Sequence, residues 1–214
     1  MTRIALIHAL AHSVAPINDE LAREWPRCER MNLLDDSLSA DLARSERGLD
    51  AAMHQRFEAL AAYAESTGAQ AILFTCSAFG PCIEAVAARR PGMPVLKPNE
   101  AMVAEAVASG RRIGLVASFE PTLVSMPAEF PATVEVLPRW AQGAMDALNR
   151  GDLAGHDARV VESAAWLVAQ GCDVIALAQF SMARAQVVVQ KALGIAVLTT
   201  PGSAVRLLRR RLVA

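Results

Sequence analysis

Cys76 is the residue whose type and setting carry the most chemistry in this chain. It ends the apolar run AILFT and is followed by Ser77, Gly80 and Pro81, so a buried strand breaks there into a helix with Ser77 as its cap. A thiol at such a junction feels the positive end of the helix, with free backbone amides beside it, and both effects hold a thiolate near neutral pH. The competing reading is that Cys76 is a small buried hydrophobe, as free cysteines commonly are. Position alone leaves both open. Cys28 at a strand start, Cys82 inside a helix and Cys172 beside a helix stop read as the buried kind. The spacings of these four cysteines match neither a CxxC redox pair nor a zinc site, and a disulfide framework does not suit so large a chain.

His8, at the end of the first apolar run, and His12 beyond it have the chemistry of an acid, a base or an anion donor. A histidine at a strand end is more often a hydrogen-bonded structural residue. His54 and His156 read as solvated. GRRIG (110–114) and PGSAV (201–205) match neither GxGxxG nor GxxxxGK[ST], so no nucleotide cofactor is expected. No GxSxG elbow, HExxH helix or cluster at metal-ligand spacing appears, and a metal is not expected either.

Composition narrows the partner. With 21 Lys+Arg against 22 Asp+Glu and 5% aromatic residues, neither a nucleic-acid surface nor a base-stacking platform is expected. Apolar stretches such as Val174 to Ala178 fall far short of the roughly 20 residues that span a bilayer. The opening MTRIALIHAL lacks a cleavage pattern and reads as a first strand rather than a signal peptide, which points to the cytoplasm. The expected partner is a small molecule.

The elements that must position these residues follow from periodicity. Short runs rich in Val, Ile and Leu alternate with longer segments of helical period, the pattern of an α/β protein with a mainly parallel sheet. The strands expected are 4–8, 30–34, 71–75, 94–97, 112–117, 133–137, 174–178 and 195–199, enough for two four-stranded sheets. Asp50 caps a helix whose Met53, Phe57, Leu60 and Ala64 share a face, closed by Gly68. A second helix over 157–170 presents Val161, Ala164, Ala165 and Val168 and stops at Gly171. The C-terminal helix, 202–212, carries Val205, Leu208 and Leu212 on one face, with its arginines read as solvated.

Written from those two glycines, GAQAILFTCSAFG and GCDVIALAQFSMA share a Gly stop, a buried strand and a polar turn into another helix. This internal repeat implies a duplicated βαβ lobe. No linker of Pro, Gly or Ser separates the halves, and the boundary falls near Pro98-Asn99. The expected lobes are 1–98 with 199–214, and 99–198. Ligands of open parallel sheets bind at the carboxyl ends of strands, which here carry His8, Cys76-Ser77, Ser118 to Thr122, Gln179 to Ser181 and Thr199-Thr200.

These residues resemble the aspartate/glutamate racemase superfamily, which also holds hydantoin racemases, maleate isomerases and arylmalonate decarboxylases. AILFTCSAFG is similar to the strand that ends in the family's catalytic cysteine. IGLVASFEPT is similar to its IGxxAT-x-x-T segment, and VIALAQFSMA to its second-cysteine segment VxxLGCTGM. The resemblance implies two similar lobes, each a four-stranded mainly parallel sheet flanked by helices, with the active site in the cleft between them. It implies no cofactor, and a role for Cys76 in moving a proton on a small carboxylic acid. By the same resemblance Ser77 with the neighbouring amide of Ala78, and Ser118, Thr122 and Thr200, bind the substrate carboxylate; Ser118 departs from the family's usual Thr. The larger departure is Gln179, which both the motif and the repeat set where the second cysteine belongs and which cannot titrate. Ser181 and His8 are the remaining candidates for a partner to Cys76.

Three functions compete. The leading one is an isomerase or racemase working through the Cys76 thiolate. The second is a lyase, a decarboxylase using one thiol as proton donor, and the third a carboxylate-binding protein that has lost turnover. A homodimer is expected, as the commonest assembly of such enzymes.

Overall fold

The computed structural model describes residues 2–110 and 112–213; Arg111 of the GRRIG segment lies outside the described residues. In chain order the elements are β1 (Arg3–His8), α1 (Val14–Glu24), β2 (Glu29–Leu34), α2 (Ser37–Arg44), α3 (Ala51–Ser66), β3 (Ala71–Phe74), α4 (Gly80–Ala88) and β4 (Val95–Leu96). There follow α5 (Glu100–Ser109), β5 (Arg112–Ala117), α6 (Pro121–Ser125), β6 (Glu135–Trp140), α7 (Ala144–Asn149), α8 (Leu153–Ala169), β7 (Val174–Leu177), α9 (Gln186–Leu193), β8 (Ala196–Thr199) and α10 (Thr200–Leu212). The chain divides into two compact units, Met1–Ala101 with Ala204–Ala214, and Met102–Ser203.

In the first unit the sheet order is β2-β1-β3-β4, and all neighbours are parallel. β1 and β3 are apolar on both faces because both faces are covered, as parallel strands require. Ala5, Ile7, Ile72 and Phe74 pack on α3 through Met53, Phe57, Ala61 and Ala64, and on α4 through Ile83 and Val86. Phe57 anchors this layer, its ring 5.3 Å from that of Phe74 and 4.9 Å from that of Phe79. The edge strand β2 alternates between partly buried and exposed positions.

The second unit repeats the plan, with parallel order β6-β5-β7-β8. Val116, Ile175, Leu177 and Val197 pack on α8 and α9 through Val160, Ala164, Leu167 and Val189. The other face, with Ile113, Leu115, Val174 and Ala176, packs on α5 through Met102, Val103 and Ala106.

Local signals held where they are local. Asp50 caps α3 by accepting from the Met53 N–H at 3.0 Å, and Gly68 and Gly171 follow their helices at φ of 81° and 87°. α8 starts earlier than its apolar period suggests, because Asp152 caps it through the Gly155 N–H at 2.8 Å. β6 lies later than 133–137 and includes Pro138, which an edge strand tolerates because one row of its backbone groups needs no partner. Among the described residues no helix is long and apolar enough to cross a membrane, and no group of three or more His, Cys, Asp or Glu is placed to hold a metal.

Candidate functional site

The first unit's sheet delivers Cys76 at the carboxyl end of β3. The residue is extended, at φ −128° and ψ 119°, and opens a three-residue 3-10 turn, Ser77–Phe79. α4 begins only at Gly80, so Ser77 is not its cap, a correction to the sequence reading. Of the four cysteines, Cys28, Cys82 and Cys172 are buried and Cys76 is half-buried. The backbone N–H of Ala78 and the hydroxyl of Ser39 on α2 are the polar groups near its sulfur that favour the thiolate. The Ser39 hydroxyl also lies 3.1 Å from the Ala9 carbonyl. Its single proton is thus donated to that carbonyl.

Burial pushes the Cys76 thiol up, and the Ala78 amide and Ser39 hydroxyl pull it back only in part. The expected thiolate at neutral pH is thus corrected: the long helix starts a turn beyond the sulfur, and desolvation outweighs the donors. Burial raises the other three thiols as well, Cys28 to about 11. Cys76 shares with His8, Leu38, Phe57, Phe74 and Phe79 a narrow recess that leaves no room for a water molecule, so this recess is packing and not a substrate pocket.

α2, which carries Ser39, is held by Arg56 of α3. The guanidinium lies 2.6 Å from Asp41, 2.8 Å from Asp35 and 2.6 Å from the Ser37 hydroxyl. Burial pushes the Asp35 carboxyl up, but the Ser37 hydroxyl and Arg56 outweigh it and hold it below the usual value. Ser39 was not a candidate in the sequence, since nothing in SLSADLAR marks it and only the packing of α2 brings it to Cys76.

His8 is fully buried, and both its ring nitrogens are engaged. Nε2 lies 3.0 Å from Asn32 Oδ1, which also accepts from Asn18 at 2.8 Å, so Nε2 carries the proton. Nδ1 then accepts from Thr75, the residue before Cys76, whose Oγ1 is 2.9 Å away, with Ser13 at 3.2 Å. Burial lowers the His8 pKa more than the Asn32 bond raises it, and the ring is neutral. His8 thus ties β1 to the end of β3, and among the described residues no hydrogen bond links it to Cys76. His12 is exposed. His156, read as solvated, is instead fully buried; its Nδ1 pairs with Asp157 at 2.8 Å, and its Nε2 has no partner among the described residues.

In the second unit Gln179 occupies the position topologically equivalent to Cys76. Ile7 pairs with Phe74 in one sheet and Val116 with Leu177 in the other. Two residues beyond the end of β7, Gln179 is extended at φ −132° and ψ 148° and opens a 3-10 turn, Phe180–Ala185. Its Oε1 lies 2.7 Å from the Ser118 N–H and 2.9 Å from the Ser118 hydroxyl. Ser118 is itself buried, and its carbonyl accepts from Trp140 Nε1 at 3.4 Å.

The other expected site residues are placed separately. Thr122 lies partly buried in α6, Ser181 partly buried in the 3-10 turn, and Ser77 and Ala78 are exposed. Thr200, the first residue of α10, is fully buried with a hydroxyl that has no partner among the described residues. The cap of that helix is Thr199, whose hydroxyl accepts from the Gly202 N–H at 3.1 Å.

A family model described as Asp/Glu/Hydantoin racemase matches residues 12–208. Similar solved structures include an allantoin racemase from Klebsiella pneumoniae, at TM-score 0.71 and 19% identity over 100% of this chain and 88% of that one. An aspartate racemase homologue from Pyrococcus horikoshii OT3 matches at TM-score 0.74 and 14% identity over the whole of both chains. An unliganded arylmalonate decarboxylase matches at TM-score 0.67 and 15% identity over 98% of this chain and 92% of that one. At these identities the structural likeness establishes the fold alone. No curated protein matches the sequence significantly.

Proposed function

The chain belongs to the Asp/Glu/hydantoin racemase family, and from that premise we propose a cofactor-independent enzyme of isomerase or racemase type that acts on a small carboxylic acid through Cys76. The observation that carries this reading is the Cys76 sulfur, half-buried at a strand end where the Ala78 N–H and the Ser39 hydroxyl favour its thiolate. Among the described residues the buried thiol of Cys82 has no such donor, and that of Cys28 has only the Ile4 N–H. In the thiolate form the sulfur takes the proton from Cα, and the electron pair of that C–H bond flows into the substrate carboxylate. Neutral donors stabilise that charge without a metal. Ser77, exposed and next to Cys76 in the chain, is the donor we assign to the carboxylate.

A second reading, a lyase, is favoured by Gln179, because its carboxamide cannot supply a second titrating group where the family motif has a cysteine. Loss of CO2 leaves the electron pair of the broken C–C bond on Cα. The Cys76 thiol donates its proton there, and solvent reprotonates the sulfur. A thiol whose resting state is protonated suits this step.

The test is solvent deuterium incorporation followed by NMR over a panel of amino acids, hydantoins, malonates and maleate. Wild-type protein is expected to exchange or protonate Cα in at least one class. Cys76→Ala should lower turnover by about 100-fold or more, the usual contribution of a general acid or base. Turnover undiminished in Cys76→Ala overturns the assignment. Exchange with retention of the carboxylate supports the isomerase, and release of CO2 the lyase.

A further inference from the structure

The two hydrogen bonds between Gln179 and Ser118 fix more than the position of a side chain. A backbone N–H can only donate, so the Gln179 atom 2.7 Å from it is the carbonyl oxygen and the amide orientation is set by chemistry. The Ser118 hydroxyl, 2.9 Å from the same oxygen, supplies the second donor. Both donors of Ser118 are therefore spent inside the protein, and Ser118 is 4% exposed, so no ligand reaches them while Gln179 holds its place. The Ser118 carbonyl, on the following peptide unit, accepts from Trp140 Nε1 at 3.4 Å. What remains is the other end of the carboxamide. Nε2 has no hydrogen-bond partner among the described residues, and it is not among the buried orphaned atoms.

We propose that Gln179 is the ligand-reading residue at the carboxyl end of the second unit's sheet, presenting the two N–H groups of Nε2 to a carboxylate oxygen of the substrate. The proposal rests on the carboxylic-acid reading above and adds to it which group recognises the anion in this unit. Three physical points support it. A pinned carbonyl fixes the side-chain torsions, so the donor end is pre-organised and loses little entropy on binding. Two donors on Oε1 polarise the carboxamide, which strengthens its N–H groups as donors. The amide is neutral and does not titrate, so it binds an anion without competing for the proton that Cys76 moves. Gln179 thus sets specificity and takes no proton-transfer role.

Substitutions separate this arrangement from the alternative in which the carboxamide is only a plug that substrate displaces. Gln179→Glu is isosteric and keeps an oxygen for both Ser118 donors, so the fold is preserved, but it turns an anionic oxygen toward the ligand. Gln179→Ala removes the presented donors and frees Ser118. The measurement is titration of 15N-labelled protein with acetate, malonate, maleate and aspartate, following the Gln179 side-chain amide signal, which is assigned by its absence in Gln179→Glu. At least one carboxylate is expected to shift that signal saturably and to bind about tenfold or more weaker in both variants. Tighter binding in Gln179→Ala identifies a plug and overturns the proposal, as does a Gln179 signal that none of the four carboxylates moves. Cys76→Ala should leave the shift intact. A shifted Gln179 signal without Cys76-dependent exchange sinks the proposed reaction and spares this inference, and the reverse result does the opposite.

Discussion

At the Cys76 sulfur two opposing effects meet, and their balance sets what the residue does at rest. Desolvation disfavours the thiolate, while the Ala78 N–H and Ser39 hydroxyl favour it; the sum leaves the pKa above the ordinary 9.0. Alkylation by iodoacetamide requires the thiolate. Its rate at Cys76 should therefore rise with pH and level off only above pH 9 in the free protein. Ser39→Ala removes a donor that lowers the pKa, so the midpoint should move to higher pH. A plateau reached near neutrality would contradict the balance drawn here, and a midpoint unchanged in Ser39→Ala would show that the hydroxyl stays with Ala9. Cys76 was legible as a candidate because strand, turn and helix signals converge on it. The sign of its shift was not, because desolvation depends on neighbours such as Leu38 and Phe57 that lie far away in the chain.

Among the elements, the central strands β1, β3, β5 and β7 were legible because they are near-continuous apolar runs covered on both faces of their sheets. Boundaries failed where a side chain outside the period sets the end, as Asp152 does for α8. Gly114 on β5 shows how closely strand and helix approach. A Cβ built there would lie 2.7 Å from Ile175 Cδ1 and 3.1 Å from both Cβ and Cδ1 of Leu167 on α8. Ile175 Cδ1 is the end of a flexible chain and yields, but the Leu167 Cβ is fixed to its helix. Gly114→Ala should thus destabilise the protein by about 1–3 kcal/mol through overpacking, read as a lower midpoint in urea with an unchanged slope. An unchanged midpoint would mean that α8 shifts freely. The role of this glycine was invisible in IGLVASFEPT, since the crowding comes from residues more than fifty positions away.

For the whole molecule the repeat legible in two short segments extends to the order of the strands, β2-β1-β3-β4 and β6-β5-β7-β8. The two copies keep the same frame and differ in the polar residues at the strand ends. The first has the buried His8–Thr75 pair, where the second has Ala117 and Ala178 at the corresponding ends. The first unit also takes its last helical residues from the far end of the chain, since Ala204–Ala214 cluster with Met1–Ala101. Ala204, Val205 and Leu208 of α10 are fully buried, and Arg209 donates to the Glu24 carbonyl at 3.1 Å. Leu208→Ala removes a fully buried side chain, at a cost of about 2–5 kcal/mol. Because α10 beyond Ser203 belongs to the first unit, the loss should be uneven. Amide exchange in Leu208→Ala is expected to speed up in β1 and β3 more than in β5 and β7, a difference that follows if each unit opens as its own cooperative body. Equal acceleration in all four strands would show that the units unfold together, and protection lost first from β5 and β7 would place the anchor of α10 in the other unit.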